Sequence, residues 1–280
     1  MSTDYSVRFA VHEDHYKGMD TQTLRDHFLV DNLFVADKVQ LTYTHYERFI
    51  VGGALPVNGP LKLDTIDAVK ADYLLARREL GVINVGGAGR VNVQGVAYDL
   101  ANKEALYVGA GNAEVIFESV DSANPAKFYL NSAPAHKALP TVKVGLDQAD
   151  EVRLGAVETS NKRVIRKLLV NSVVETCQLQ MGMTELLEGS VWNTMPCHIH
   201  DRRMEAYFYF QVPQDQAVCH FMGPPNETRH LWLGNEQAVV SPPWSMHCGT
   251  ATASYIFIWG MAGENLDYDD MDKFQPGELK

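Results

Sequence analysis

Short β-rich runs recur along the whole chain, each closed by glycine, asparagine, proline or a polar turn. The first series is LGVINVGG, GRVNVQGVAYDL, EALYVGAG, AEVIFESV and AKFYLN. The second is RVIRKLLV, SVVETCQLQMGMTEL, EAYFYFQV, QAVCHFMG, RHLWLG, QAVVSPP and SYIFIWG. Many short strands at this spacing predict a sandwich or a barrel rather than a parallel sheet with crossover helices. Two segments read as helices. One is DTQTLRDHFLV, with Asp20 as N-cap and Leu24 and Phe28 on one face; the other is DTIDAVKAD, from Asp64 to Asp72. The expected fold class is mainly β, with few short helices.

A chain of 280 residues holds one large domain or two ordinary ones. At 46% hydrophobic and 21% charged residues it can bury a sizeable core. The net charge of -11 argues against nucleic acid or an anionic membrane surface as partner, since both require a basic face. No run approaches the length of a membrane-spanning helix, and MSTDYSVRFAVHEDHYKGMD is too polar for a signal peptide. Cys177, Cys197, Cys219 and Cys248 are widely spaced, so no disulfide framework is expected and a cytoplasmic location is the default.

The two series of strands resemble each other. Placing Glu79 of RREL on Glu205 of RRMEAYF sets Asp72 opposite His198 and Leu74 opposite His200. EALYVGAGNAEVIF then aligns with QAVVSPPWSMHCGTATASYIF, and Glu114 meets His247. A duplicated β-domain is expected: residues 1–135 with a degenerate site, a polar link over 136–160, and 161–280 with the histidines. Glu79 and Glu114 are read as relics of ligands or as salt-bridge partners.

The chemistry concentrates in PCHIHDRRMEAYFYF. On a strand, His198 and His200 point to the same face with Cα atoms roughly 7 Å apart. The polar DRR can turn the chain so that Glu205 rejoins that face, and a neighbouring strand could bring in His247. Three imidazoles and a carboxylate suit a first-row divalent ion such as Zn, Mn, Fe or Ni. Cys197 and Cys248 alternate away from their ligand neighbours and are expected to pack outward. His220 and His230 lack a histidine two residues away and read as core or surface residues.

This pattern resembles the cupin motifs, G(x)5HxH(x)3–4E(x)6G and G(x)5–7PxGxxH(x)3N. His198, His200 and Glu205 fit the first; Gly234, Pro242 and His247 fit the second, with Trp244 where glycine is usual. Gly189 sits eight residues before His198, no glycine follows Glu205 at the usual distance, and no asparagine follows His247. Longer strings, among them ARRELGVINVGGAG, NSAPAH, VWNTMPCHIHDRRMEAYFYF, ETRHLWLGNEQAVVSPPWSMHCG and FIWGMAGENLDYDDMD, resemble the 5-keto-4-deoxyuronate isomerase family. That resemblance implies a bicupin of two jelly-roll barrels, one zinc per chain held by His198, His200, Glu205 and His247, a homohexamer, and a cytoplasmic aldose–ketose isomerase of pectin and polyuronate degradation. Its substrate would be the small-molecule keto-deoxyuronate. The alternatives are an iron-dependent cupin oxygenase, which uses the same ligands, and a non-enzymatic sugar-acid-binding cupin.

Such an isomerisation moves a proton from C2 to C1, and a base must lie within about 3 Å of the proton it takes. Metal-bound hydroxide, Tyr209, Glu227 and His230 are the candidates, with Tyr207 sharing the inward face of Tyr209. A substrate carboxylate calls for a guanidinium; Arg163, Arg203 and Arg229 are available near the motifs. Trp192 and Met195 are candidates to wall the pocket.

Overall fold

The computed structural model describes residues 3–264 and 266–280. The helices are α1 (Glu13–Tyr16) and α2 (Thr21–Phe28). The first strands are β1 (Thr3–Arg8), β2 (Leu29–Val30), β3 (Lys38–Thr44), β4 (Ile50–Leu55), β5 (Leu61–Lys62), β6 (Arg78–Asn84), β7 (Gly89–Val93) and β8 (Val96–Leu100). Next come β9 (Ala105–Val108), β10 (Val115–Ser119), β11 (Phe128–Pro134), β12 (Val142–Val144), β13 (Asp150–Leu154), β14 (Arg163–Leu169), β15 (Gln180–Leu186) and β16 (Trp192–Ile199). The last are β17 (Arg203–Phe210), β18 (Val218–Gly223), β19 (Arg229–Leu233), β20 (Gln237–Ser241), β21 (Met246–Ala251), β22 (Ile256–Gly263) and β23 (Asp272–Phe274). The chain is mainly β, as its short alternating runs predict. None of the described helices is long and apolar enough to cross a membrane.

Contacts divide the chain into two units that interleave in sequence. The first comprises Met1–Arg8, Asn32–Asp150 and Leu168–Gln180; the second comprises Phe9–Asp31, Glu151–Lys167 and Met181–Lys280. The first carries a seven-stranded sheet, β1-β3-β4-β11-β6-β9-β12, and a four-stranded one, β5-β10-β7-β8. The second carries β13-β14-β15-β22-β17-β20-β2 and β19-β18-β21-β16-β23. The two large sheets follow the same plan: β6 lies between β11 and β9, just as β17 lies between β22 and β20. Glu79 and Glu205 thus stand on matched strands.

Burial explains why the chain adopts these strands. In β17 every residue is buried, and Phe208 and Phe210 stack on one face while Tyr207 and Tyr209 meet on the other. In the first unit, Val82, Leu106, Phe117, Phe128 and Leu130 are among the buried side chains of one continuous core. Each fully buried aliphatic or aromatic side chain is worth about 1.5–3 kcal/mol.

Several local expectations meet a different outcome. Asp20 does cap α2, its carboxylate accepting from the Thr23 amide at 2.8 Å. The stretch 64–72, however, forms only a 3-10 turn, Asp67–Val69. Lys70 turns left-handed at φ 47°, and the Arg77 guanidinium takes the carbonyls of Val69 and Lys70, which ends the turn. The polar segment 136–160 holds two short strands. β12 pairs with β9, and the largely exposed β13 forms a sheet edge, so neither shows an apolar alternation. SVVETCQLQMGMTEL becomes a strand only from Gln180, because the amides of Cys177, Gln178 and Leu179 bond to the Glu79 carboxylate instead of a ladder. β3 and β4 fall in a stretch that the series of short runs passes over.

Trp244, the departure from the usual glycine, has a physical role in the second unit. Its indole Nε1 donates to the Val11 carbonyl at 3.2 Å, and its ring meets Tyr16 and Phe28 edge-on. Tyr16 in turn donates to the Met222 carbonyl at 2.9 Å. The tryptophan thus anchors α1 and α2.

Candidate metal centre

β16 approaches the centre irregularly. Its register against β21 shifts between Asn193 and His198, and Thr194 takes φ 48°, uncommon for a β-branched residue. The Thr194 hydroxyl lies 2.9 Å from Tyr207 Oη, tying the bulge to β17. The shift leaves His198 directly opposite His247 on β21. His200 follows one residue beyond β16, a two-residue turn reverses the chain, and Glu205 returns on β17 of the other sheet. Two facing sheets therefore supply the four side chains.

All four are nearly buried, His198 at 8% exposure and the others at 3% or less. His198 Nε2 lies 3.0 Å from His200 Nε2 and 3.1 Å from His247 Nε2. Glu205 Oε2 lies 2.9 Å from His200 Nε2 and 2.8 Å from His247 Nε2. The Nδ1–H of His200 donates to the Asp270 carbonyl at 2.8 Å, and His247 Nδ1 faces Ser241 Oγ at 3.2 Å and the Ser245 carbonyl at 3.4 Å. A neutral imidazole that donates through Nδ1 presents a lone pair at Nε2. Three ring nitrogens and a carboxylate oxygen thus face one another at about 3 Å, donor atoms that a cation among them would gather.

Burial first, then the neighbouring His247 and His200, hold His198 well below its ordinary range, so its ring is neutral. Burial alone would raise the Glu205 carboxyl; His247 and His200 outweigh it and keep the group well below the ordinary carboxylate range. Among the described residues this is the only group of three or more His, Cys, Asp or Glu donors that converges, all within 4.8 Å of one another. The donor set fits a divalent transition ion.

A cavity of about 280 Å³ opens over His198, His200 and Glu205. Arg163, Lys273 and Asp269 bring charge to it; Tyr207, Tyr268, Thr184 and Thr194 bring hydroxyls; Met195, Phe257, Trp259 and Met261 form apolar wall. Burial pushes the Tyr207 phenol well above its usual range, with the Glu205 charge adding to the effect, so this hydroxyl stays protonated.

Of the residues singled out in the sequence, Arg163 and Met195 line this cavity. Arg203 does not. It is 1% exposed, its Nη2 donates to the Tyr268 carbonyl at 3.0 Å, and its Nε lies 3.3 Å from His200 Nδ1. It ties down the C-terminal segment through the Tyr268 carbonyl. Arg229 and Glu227 pair with each other at 2.7 Å away from the cavity, and Arg229 also reaches the Lys17 carbonyl and the Tyr16 ring. His230 is exposed beside Trp232. Trp192 stacks on Phe221 and lines a separate cavity of about 180 Å³. Tyr209 bonds His220 Nδ1 at 2.7 Å behind Tyr207; of the two inward tyrosines, Tyr207 reaches the cavity.

Cys197 and Cys248 pack with Met246 in an apolar cluster, as strand alternation requires. The four cysteines are free.

Tyr268, Asp269 and Lys273 carry no motif. β23 pairs with β16 and sets Lys273 opposite His198. The signal for them was the charged stretch NLDYDDMDK following the last core strand, which gives no distance to the ligands.

A sequence model of the KduI/IolB family matches residues 28–275. A protein of Formosa agariphila named 4-deoxy-L-threo-5-hexosulose-uronate ketol-isomerase is 58% identical over 280 residues, covering all of both chains. Proteins of the same name from Bacteroides fragilis and Escherichia coli are 55% identical over 272 residues and 52% identical over 276. The first alignment covers 97% of each chain; the second covers 98% of this chain and 99% of the other. Among solved structures, an IolB-like protein from Salmonella typhimurium superposes with a TM-score of 0.66 at 15% identity, over 81% of this chain and 86% of that one. An oxalate decarboxylase from Bacillus subtilis gives 0.54 at 10% identity, over 78% and 69%. These distant structures bear on the fold alone, whereas the family match and the full-length relatives decide membership: the chain belongs to the KduI/IolB family.

Proposed function

We propose that this chain is a metal-dependent aldose–ketose isomerase of uronate degradation. It would convert 4-deoxy-L-threo-5-hexosulose uronate into 3-deoxy-D-glycero-2,5-hexodiulosonate. The observation that carries the reading is the convergence of His198, His200, Glu205 and His247 beneath a cavity that also holds two cationic side chains. It is joined to 58% identity with a relative of that name. Zinc as the ion, a bicupin organisation, a homohexamer and a cytoplasmic location belong to the same proposal and rest on the family resemblance.

A divalent ion held by the four ligands would supply Lewis-acid polarisation of a carbonyl and offset developing negative charge, worth several kcal/mol. The chain's own groups do the rest. Arg163 and Lys273 bind the substrate carboxylate, Arg163 through the guanidinium N–H groups that its bond to Asn161 leaves free. Its Nη1 is steadied by the Asn161 carbonyl at 2.9 Å. Asp269, the one cavity carboxylate outside the ligand set, takes the proton from C2 and returns it to C1, while the hydroxyl proton passes from O2 to O1. The Tyr207 phenol, kept protonated by burial, donates a hydrogen bond to the enediolate oxygen. Phe257, Trp259 and Met261 exclude water from the reacting carbons.

The test is a set of single substitutions with metal content and kinetics measured together. His247→Ala should lose bound metal and turnover at once. Lys273→Met should keep the metal and raise KM by about tenfold, the value of one charge-assisted contact. Full activity without bound metal in His247→Ala would overturn the assignment.

A further inference from the structure

The first unit carries a cavity of its own, of about 500 Å³. It lies where the end of β3 and the loop after it meet the turns before β6 and the end of β11. Tyr43, Arg48, Arg77 and Arg78 line it, with Val69 and Leu74 as apolar wall, and no carboxylate is in its lining. Its size is that of an ordinary small-molecule site.

Arg78 is the fixed member. It is 6% exposed. Its Nε donates to Ser132 Oγ at 3.1 Å, and its Nη2 donates to the carbonyls of Arg48 and Ser132 at 2.6 and 2.8 Å. Those bonds hold the guanidinium plane through Nε and Nη2 and use neither Nη1 hydrogen, and the residue lines the cavity. Glu79, its neighbour in sequence, does not neutralise it. Both Glu79 oxygens are taken by Tyr107 and by the amides of Cys177, Gln178 and Leu179.

Arg77 and Arg48 are exposed and flank it. Arg77 Nη2 is held by the carbonyls of Val69 and Lys70 at 3.3 and 3.1 Å. Glu47 and Arg48 both take left-handed backbone angles, φ 49° and 51°, and this turns the Arg48 carbonyl onto Arg78. Among the described residues no carboxylate forms an ion pair with any of the three arginines. Burial pushes Arg78 down to about 10; Tyr43 and Glu79 oppose this, and Arg48 adds to it. Three cations gathered without an ion-paired carboxylate, in a chain of net charge -11, are unfavourable by themselves and favourable around an anion.

We infer that this cavity binds a small organic oxyanion, a carboxylate or a phosphate. Its charged head meets Arg78 Nη1, Arg48 and Arg77, and its body lies on Tyr43, Val69 and Leu74.

The experiment is calorimetric titration of the full-length, metal-loaded protein with inorganic phosphate and, separately, with D-galacturonate. Binding of either below about 10 mM is expected, the range of one small ion held by several charge-assisted bonds. Arg48→Ala/Arg77→Ala should weaken it about tenfold or more, while metal content and isomerase turnover stay as in the wild type. Phosphate binding alone would mark a phosphorylated ligand, and galacturonate binding alone a sugar acid. The inference is overturned if neither anion binds, if the double variant binds as well as the wild type, or if chelating the metal abolishes binding.

Discussion

Glu79 Oε1 and Oε2 between them accept four hydrogen bonds, from Tyr107 and from three consecutive backbone amides. This residue was expected to be a relic ligand or a salt-bridge partner, and its partners are instead a tyrosine hydroxyl and three main-chain amides, which no charge pattern reveals. Glu79→Ala strands those donors in a buried place, so chemical denaturation should show a loss of about 3 kcal/mol or more. A loss below 1 kcal/mol would contradict the role. His220 is a second case. Burial holds it down at about 3, and its Nε2 has no hydrogen-bond partner. An unfolded histidine takes its proton near pH 6.5. Between that value and about 3 the unfolded state binds one proton that the folded state refuses, so stability falls as pH falls through this window. The slope is at most about 1.4 kcal/mol per pH unit. Urea melts of metal-free His220→Gln should therefore decline less steeply from pH 6 to 4 than those of the metal-free wild type; equal slopes would count against it.

The four converging side chains were legible because HxH, the following glutamate and the distant histidine keep a spacing that survives loop insertions. The rest of the site was not, because strand pairing rather than sequence distance creates it. β23 lies beside β16 and brings Lys273 opposite His198. The segment before it lends the Asp270 carbonyl to His200 and the Tyr268 carbonyl to Arg203. Partners of this kind are worth about 10–100-fold in metal affinity. Removing residues 266–280 should therefore speed metal release to a chromogenic chelator by at least about tenfold while β16–β22 keep their fold. Unchanged release kinetics would show that the segment does not support the ligands. The same reasoning places Arg229, Glu227 and His230 outside the chemistry. They are close to Pro242 and His247 in sequence, yet β19 lies at the far edge of the small sheet from β16.

Two units with the same order of strands in their large sheets share one chain, and one of them carries the converging histidines and glutamate. The matched placement of β6 and β17 in the two large sheets was legible as an alignment of RREL with RRMEAYF. The interleaving of the units was not: β2, only two residues long, completes the second unit's sheet from a stretch that lies in sequence between the first unit's β1 and β3. The proposed chemistry needs only the second unit's ligands, cavity and cationic side chains. Proton NMR of the keto-deoxyuronate with purified protein in deuterated water tests this most directly. The metal-loaded protein should form the 2-ketose, the chelated protein should not, and added zinc should restore the reaction. Undiminished turnover by the metal-free protein, or none by the metal-loaded one, would contradict it.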